Sequence, residues 1–220
     1  MIPPIYVGIA GQKQNGKDTV ADYVQDQLAQ DDEFVFKFER AAFAANVKRV
    51  FVETFDVTYE FIEKWKTIPE PPPGFDMSVR EGLQFIGDGF RKIKSSIWID
   101  LMFRQALNKI ISDVRYINEA DRIVQENGFN FLVAHPDRLN DDPNGSEAQI
   151  RPYAAWCLKH MTTSGNPNLV DAPDKPEFMH LFSYFILNNG TIEDVHSVID
   201  TQIIPIIKNK IGEMSNDAVS

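Results

Sequence analysis

The sequence of 220 residues contains a single cysteine, Cys157, so no disulfide can form within the chain. A chain without disulfides is typical of a reducing compartment, and we expect an intracellular, cytoplasmic protein. The four histidines do not stand at ligand spacing from the cysteine, which argues against a structural zinc site. The sequence has no run of about 18 consecutive apolar residues, and its N-terminal segment lacks the basic and apolar regions of a signal peptide. We therefore expect neither a membrane span nor secretion.

Basic residues are also scarce. The chain has 22 Lys and Arg against 32 Asp and Glu, which gives a formal net charge of −10. A protein that binds nucleic acid or an anionic membrane needs a basic surface to replace the counterions of the phosphates. We therefore expect no nucleic-acid partner and no membrane partner. A small anionic substrate is still compatible with this charge, provided that a few Arg and Lys side chains converge locally.

Short apolar segments alternate with helical patterns along the chain, which predicts an α/β fold with a parallel five-stranded sheet flanked by helices. The predicted strands are 5–10, 34–38, 110–114, 129–134 and 182–187. The predicted helices are 17–30, 43–55, 79–93, 96–108, 118–127 and 191–210. Two proline-rich stretches interrupt this alternation, an irregular loop at 66–76 and a long polar segment at 135–180. The second stretch is interpreted either as an active-site lid or as a surface insertion.

The most specific motif follows the first predicted strand, where residues 8–21 read GIAGQKQNGKDTVA. Gly11, Gly16 and Lys17 have the G-x-x-x-x-G-K spacing of a loop that cradles phosphates with backbone N–H groups. The helix that begins here adds its positive end, and Lys17 adds a point charge. Asp18 replaces the usual hydroxyl residue, which is displaced to Thr19, so a metal ion would be held through water or by Asp18. The alternative is a glycine-rich turn that binds nothing.

A second candidate site lies on the helix predicted to begin after Ser78, which has the spacing of a capping box. Arg80, Gln84, Gly87 and Arg91 are spaced by four, three and four residues, so they lie in one line on the helix surface. Two guanidinium groups with an amide between them suit a phosphate and a base, and the glycine leaves room for a planar ring. The alternative is that both arginines only solvate the helix.

Charged residues also follow the third predicted strand and stand in an early helix. Asp113 and Arg115 lie where the carboxyl ends of parallel strands bind ligands, so they could hold magnesium through water and an anionic substrate. They could equally form a turn and a surface ion pair. Lys48 could contact a phosphate, or it could be a solvated lysine.

Two further positions are candidates for contacts with a nucleotide. Asn188 ends the last predicted strand and could bind a nucleobase through its amide. Arg138 and Arg151 lie within the lid-like stretch, and either could move onto the transferring phosphoryl group. The sequence does not choose between them.

In order and spacing, these motifs resemble the phage-type deoxynucleoside monophosphate kinases, which have a P-loop kinase fold. The matching segments are Gly-x-Lys-x-x-Gly-Lys-Asp-Thr at 11–19, Phe-Ala-Ala-Asn-Val-Lys at 43–48, Arg-Glu-Gly-Leu-Gln-Phe-Ile-Gly at 80–87 with Arg91 and Trp98, Asp-Val-Arg-Tyr-x-Asn-Glu-Ala at 113–120, and Asn-x-Gly-Thr at 188–191. The stretch from 135 to 180 matches poorly, and Asp88-Gly89 after Gly87 departs from the pattern.

The resemblance implies a single kinase domain over 1–215, with a core at 1–40, 109–134 and 181–212, a monophosphate-binding helical region at 41–108 and a lid-like insertion at 135–180. It implies transfer of the γ-phosphoryl group of ATP, with Mg²⁺, to a deoxynucleoside 5′-monophosphate. Such an enzyme supplies deoxynucleotides for phage DNA synthesis in the host cytoplasm, and a homodimer fits the family.

The resemblance also implies residue roles. The implied ATP-binding residues are Gly11, Lys13, Asn15, Gly16, Lys17, Asp18, Thr19 and Asn188. The implied monophosphate-binding residues are Lys48, Arg80, Gln84, Arg91, Trp98, Asp113 and Arg115. The implied metal ligands are Asp18 and Asp113, and the implied catalytic residues are Lys17, Arg115 and either Arg138 or Arg151. The alternatives are another small-molecule P-loop kinase, such as a dephospho-coenzyme A kinase, and a nucleotide-binding switch that transfers nothing, although no guanine-reading Asn-Lys-x-Asp motif occurs.

Overall fold

Residues 3–30, 37–139 and 148–217 are described by a computed structural model of the chain. The chain divides into two compact units. One unit consists of Met1–Ala41 and Ala106–Ser220, and the other of Ala42–Gln105. The limits of the second unit are close to the range 41–108, in which the family resemblance places the monophosphate-binding helices.

The first unit contains a parallel sheet with the strand order β2-β3-β1-β4-β5. Its strands are β1 (Tyr6–Ala10), β2 (Glu39–Ala41), β3 (Lys109–Val114), β4 (Phe129–Ala134) and β5 (Tyr184–Leu187). All five residues of the central strand β1 are buried, as is typical of a parallel strand that is covered on both faces. The predicted α/β fold with a five-stranded parallel sheet flanked by helices is confirmed.

The helices of the first unit are α1 (Lys17–Ala29), α6 (Ile117–Gln125), α7 (Arg151–His160), α8 (Ile192–Val198) and α9 (Ile204–Asp217), with a π-helical segment at Ile199–Ile203. Val20, Val24 and Leu28 form the buried stripe of α1, at the spacing that the sequence predicts. They belong to one apolar cluster with β1 and with Ile199 and Ile203 of the π-helical segment. This packing fixes the start of α1 directly after the glycine-rich loop.

The second unit is helical and contains α2 (Phe43–Phe55), α3 (Tyr59–Trp65), α4 (Val79–Ile93) and α5 (Ile97–Met102). Phe51, Ile62 and Val79 are almost completely buried in its small core. The N-terminus of α4 is held by the predicted capping box, in which the side chains of Ser78 and Glu81 each accept a hydrogen bond from the other's backbone N–H. The capping box therefore fixes the start of the helix that carries Arg80, Gln84, Gly87 and Arg91.

Some predicted elements differ from the structure. Of the strand predicted at 34–38, residues 34–36 lie outside the described residues, and Lys37 and Phe38 precede β2, which begins at Glu39. The helix predicted at 96–108 is shorter, because α5 ends at Met102 and the chain then leads into β3. Helix α3 was not predicted, although Thr58 caps it by accepting a hydrogen bond from the backbone N–H of Phe61.

The stretch predicted as a lid, 135–180, contains a helix that is packed into the first unit. Tyr153, Ala154, Trp156 and Cys157 of α7 are buried. Pro152 lies in the first turn of α7, where proline is compatible with a helix and does not break it. The part of this stretch that α7 occupies is thus core rather than an open lid; residues 140–147 lie outside the described residues.

Among the described residues, no helix has the length and apolar character needed to cross a membrane.

Candidate nucleotide-binding site

The loop between β1 and α1 has backbone geometry that depends on its two glycines. Gly11 has φ 151° and Gly16 has φ 90°, and Gln14 between them has φ 64°. A Cβ atom at Gly11 would lie 2.3 Å from the carbonyl oxygen of Val133, and one at Gly16 would lie 2.6 Å from Nδ2 of Asn188. A side chain at Gly11 would therefore displace the backbone of Val133, and one at Gly16 would displace the side chain of Asn188. The backbone of this loop thus makes the tight turn that is expected of a phosphate-binding loop.

The Lys17 side chain is folded against this loop. It is only 7% exposed, and its Nζ donates a hydrogen bond of 2.5 Å to the carbonyl oxygen of Gln12. Its charge is thus held where an anion on the loop's N–H groups would bind.

The Asn15 side chain is fully buried, and neither polar atom of its amide has a hydrogen-bond partner among the described residues. A buried amide without partners is costly, and it fits a loop that completes its hydrogen bonds when a ligand binds. Lys13 is exposed.

The strands bring the other predicted residues of the first unit to the same edge of the sheet. In the register of the sheet, Ala10 pairs with Val114 on one side and with Leu132 on the other, and Leu132 pairs with Phe185. The carboxyl ends of four strands therefore lie side by side, which is where parallel sheets bind ligands. The residues that leave the strands at this edge include Gly11, Arg115, Arg138 and Asn188.

Two of these residues contact the loop directly. Nη1 of Arg138 donates a hydrogen bond of 2.6 Å to the carbonyl oxygen of Gln14. Nδ2 of Asn188 donates a hydrogen bond of 3.0 Å to the carbonyl oxygen of Asn15. The structure thus brings Arg138 to the loop. For Asn188, the geometry indicates support of the loop, whereas the sequence had suggested contact with a base.

A cavity of about 210 Å³ lies beside the start of α1. Its lining residues are Gly16, Thr19, Arg138, Asn188, Ile192 and Val195. Sequence reasoning did not single out Ile192 and Val195, although the cap at Thr191 locates the start of α8. Backbone and side-chain hydrogen bonds from Thr191 hold the pKa of the Asp194 carboxyl below its usual value.

A buried carboxylate of α6 holds the turn that follows β3. Glu119 is 2% exposed and accepts hydrogen bonds from the backbone N–H groups of Arg115 and Tyr116, at 2.9 and 3.1 Å. These contacts fix the turn that presents Arg115. Asp113 is half-buried in the last part of β3. Sequence reasoning included Glu119 only as part of a motif and gave it no role.

Asp18 was predicted as a metal ligand, but its carboxylate lies near a guanidinium group. Oδ1 of Asp18 is 3.7 Å from Nη2 of Arg40, and the Asp18 side chain is 84% exposed. Within the described residues, no group of three or more His, Cys, Asp or Glu side chains could hold a metal ion. Asp18 and Asp113 thus belong to no protein-only metal cage there, and magnesium would need oxygen ligands from water and from a bound phosphate.

In the second unit, the predicted line of polar residues is on the surface of α4. Arg80 and Gln84 are exposed, and Gly87 is buried. Nη1 of Arg91 is 3.4 Å from Oδ1 of Asp88, so one guanidinium is partly neutralised within the helix. These side chains are placed as the helical spacing predicts, and their contact with a ligand stays a prediction.

Two other predicted residues of this unit have protein partners of their own. Trp98 is 1% exposed, and its Nε1 donates a hydrogen bond of 3.0 Å to the carbonyl oxygen of Gly87. A buried indole with its donor occupied supports α4 from inside, and its contact with a substrate stays a prediction. Nζ of Lys48 forms an ion pair of 2.7 Å with Glu63 of α3, which also binds Lys66. Lys48 is thus paired within the unit, and its contact with a phosphate stays a prediction.

The second lid arginine has a different position from the first. Arg151 is the first residue of α7, and it does not line the cavity beside α1. Of the two arginines that the sequence left open, Arg138 contacts the loop through the carbonyl oxygen of Gln14.

No family model matches the chain. A curated protein of Acanthamoeba polyphaga mimivirus, whose name assigns it provisionally as a deoxynucleotide monophosphate kinase, is 28% identical over an alignment of 225 positions, which spans 93% of this chain and 97% of the relative.

Two solved structures are also similar. The shikimate kinase from Acinetobacter baumannii in complex with shikimate is 14% identical, with a TM-score of 0.45 and 96% of both chains covered. TT1252 from Thermus thermophilus is 14% identical, with a TM-score of 0.43, and the match covers 91% of this chain and 97% of that one. The chain is thus similar over nearly all of its length to a curated protein named as a deoxynucleotide monophosphate kinase, and its own strands and helices form an α/β fold with a phosphate-binding type of loop.

Proposed function

We propose that the protein transfers the γ-phosphoryl group of ATP to a deoxynucleoside 5′-monophosphate and releases ADP and the deoxynucleoside diphosphate. The observation that carries this proposal is the loop 11–16, with both glycines at a positive φ that residues with side chains rarely adopt and with Lys17 folded over it. The end-to-end similarity to a relative with that name supports the choice of acceptor. The role would be deoxynucleotide supply, as the resemblance to phage-type enzymes suggests.

In this proposal, ATP binds to the first unit. Its phosphates occupy the loop, where the backbone N–H groups and Lys17 neutralise their charge. Its base enters the cavity beside α1, whose apolar wall of Ile192 and Val195 suits a planar ring. Arg138 and Asn188 border both places, since each is bonded to the loop and also lines the cavity.

The family resemblance implies acceptor contacts for Arg80, Gln84 and Arg91 of α4 and, within the first unit, for Arg115 after β3. Guanidinium groups bind phosphate through paired, charge-assisted hydrogen bonds, and an exposed amide can select a base. Lys48 and Trp98 are given no direct contact here, because the one is paired with Glu63 and the other is buried.

Mg²⁺ would neutralise charge on the transferring phosphoryl group when it is bound with ATP. Thr19 and Asp113 offer oxygen ligands, directly or through water, and oxygen is the donor that magnesium prefers. Thr19 borders the cavity, and Asp113 lies in the strand adjacent to β1.

The chain's own contribution to the reaction is alignment and charge stabilisation. An acceptor phosphate oxygen is already an anionic nucleophile, so no strong general base is required. Lys17 and Arg138 would stabilise the oxygens of the transferring group, and Arg115 would hold the acceptor in line. Exclusion of water from the site would limit hydrolysis of ATP.

The expected partners are small nucleotides, because the net charge of −10 disfavours nucleic acid. The family resemblance further supports a homodimer, which sedimentation velocity of the purified protein would test.

The experiment that tests the function is a panel of acceptors. ADP formation from ATP and Mg²⁺ is measured with each deoxynucleoside monophosphate and its ribose counterpart. We expect strong stimulation by one or a few deoxynucleotides. A flat panel with tight ATP binding would contradict the proposal and would favour another acceptor, such as dephospho-coenzyme A, or a switch.

A further inference from the structure

The helix that follows the loop carries a carboxylate in its first turn. Asp18 stands directly after Lys17, where the strict phosphate-loop motif has the hydroxyl that reaches magnesium. Carboxylates in the first turn of a helix are stabilised by the same N–H groups and the same dipole that bind an anionic ligand. The Asp18 carboxylate can therefore compete with the anion that the loop is expected to bind for the N–H groups at the start of α1.

Arg40 of β2 lies beside this carboxylate. Its Nη2 is 3.7 Å from Oδ1 of Asp18, and its Nε is 3.0 Å from Oδ1 of Asp22. One guanidinium thus meets both carboxylates, which lie on successive turns of α1. The Arg40 side chain is 25% exposed, and its Nη1 is buried without a hydrogen-bond partner among the described residues. The Arg40 guanidinium is thus held by packing as well as by charge. The Asp18 side chain is 84% exposed, so it has more freedom to move than its partner.

We propose that Arg40 is a positioning residue, which draws the Asp18 carboxylate toward β2 and leaves the N-terminus of α1 open to the phosphates of ATP. This inference rests on the proposed function, since it presupposes that the loop binds a nucleoside triphosphate. It gives Asp18 a different role from the metal ligand that the sequence suggested.

Loss of the guanidinium would act on the loop in two ways. Asp18 would turn to the N–H groups at the start of α1, and two like charges at i and i+4 would remain without a cation between them. Both effects oppose the binding of an anion, and neither acts on the chemical step. Between solvent-exposed groups, a unit charge about one helical turn from a phosphate changes affinity by about threefold to tenfold.

The test measures the dissociation constant of ATP in the presence of Mg²⁺ by isothermal titration calorimetry. We expect Arg40→Gln to weaken binding by about threefold to tenfold, and Asp18→Asn in the same background to restore most of the loss. Asp22→Asn in that background is the matched control. It removes an equal charge one helical turn farther from the loop, and it should restore less.

Steady-state kinetics distinguish a positioning role from a purely structural one, because only the positioning role predicts an effect on the KM for ATP without a similar effect on kcat. Arg40→Gln should raise the KM for ATP more than it lowers kcat, and added salt should reduce the difference from the wild type. Arg40→Lys keeps the charge but reaches only one carboxylate, so it should bind ATP with intermediate affinity. If Arg40→Gln fails to fold, the ATP affinity of Arg40→Lys provides the test in its place.

Three results would overturn the inference. Arg40→Gln could bind ATP as tightly as the wild type, or Asp18→Asn could fail to restore affinity. The double variant could also require more Mg²⁺ than the wild type, which would identify Asp18 as a metal ligand. Failure of the proposed function would look different, because the wild-type protein itself would then bind no ATP.

Discussion

The amide nitrogen of Asn188 donates a hydrogen bond of 3.0 Å to the carbonyl oxygen of Asn15. This bond joins the turn after β5 to the glycine-rich loop after β1, across 173 positions of sequence. The same nitrogen occupies the space that a Cβ at Gly16 would need. The loop is therefore held from outside by the end of another strand, and its shape depends on that contact.

We expect Asn188→Ala to weaken ATP binding, because the Asn15 carbonyl loses its partner and the loop gains freedom. One hydrogen bond contributes about 1 kcal/mol, so the KM for ATP should rise about fivefold. Asn189→Ala is the matched control, since Asn189 is the exposed neighbour. Equal KM values for the two variants would contradict a supporting role for Asn188.

Lys17→Ala removes the charge that is folded over the loop. We expect turnover to fall by about a hundredfold or more, because stabilisation of the transferring phosphoryl group is lost. The fold should survive, since β1 and the stripe of α1 hold the core. Circular dichroism checks the fold, and Lys37→Ala, at an exposed lysine of the same unit, is the control. An unchanged rate for Lys17→Ala would refute the assignment of the loop.

The two arginines of the stretch 135–180 should differ in effect. Arg138 is bonded to the loop and lines the cavity, whereas Arg151 begins α7 and does not line it. We expect Arg138→Ala to lower kcat by about a hundredfold and Arg151→Ala to lower it far less. A larger loss with Arg151→Ala, measured as ADP formation under saturating substrates, would exchange their roles.

Cys157 should be chemically inert in the folded protein. It is completely buried in α7, and burial raises the pKa of its thiol from 9.0 to about 12. Thiol reagents should therefore react slowly with native protein and rapidly with protein unfolded in urea. The thiol binds its proton more tightly in the folded state, so its contribution to stability is complete below pH 9 and is lost as the pH rises toward 12. Fast labelling of native protein would show that α7 opens.

Local sequence signals predicted the parts of the site that depend on near neighbours. The glycine spacing predicted the loop, and the Ser78 capping box with its apolar spacing predicted α4 with the bounds Val79–Ile93. In both cases the interactions that fix the backbone lie within a few residues, so the sequence carries them directly.

Contacts between distant residues were not predictable in this way. Glu63, the partner of Lys48, belongs to α3, which the sequence pattern did not reveal. The indole of Trp98 binds a carbonyl 11 residues away, and its burial depends on how α4 and α5 pack. Helix α7 was missed because Pro152 was interpreted as a loop residue, although it lies in the first turn. These are tertiary effects, and a single sequence does not specify them.

The most direct test of the central claim follows the phosphoryl group itself. Wild-type protein is incubated with Mg²⁺, ATP labelled at the γ-phosphate and the deoxynucleoside monophosphate that stimulates ADP formation most, and the products are separated. We predict that the label appears in the deoxynucleoside diphosphate, in an amount equal to the ADP formed. Label found only as inorganic phosphate, or remaining in ATP, would contradict the proposal that this protein is a deoxynucleoside monophosphate kinase.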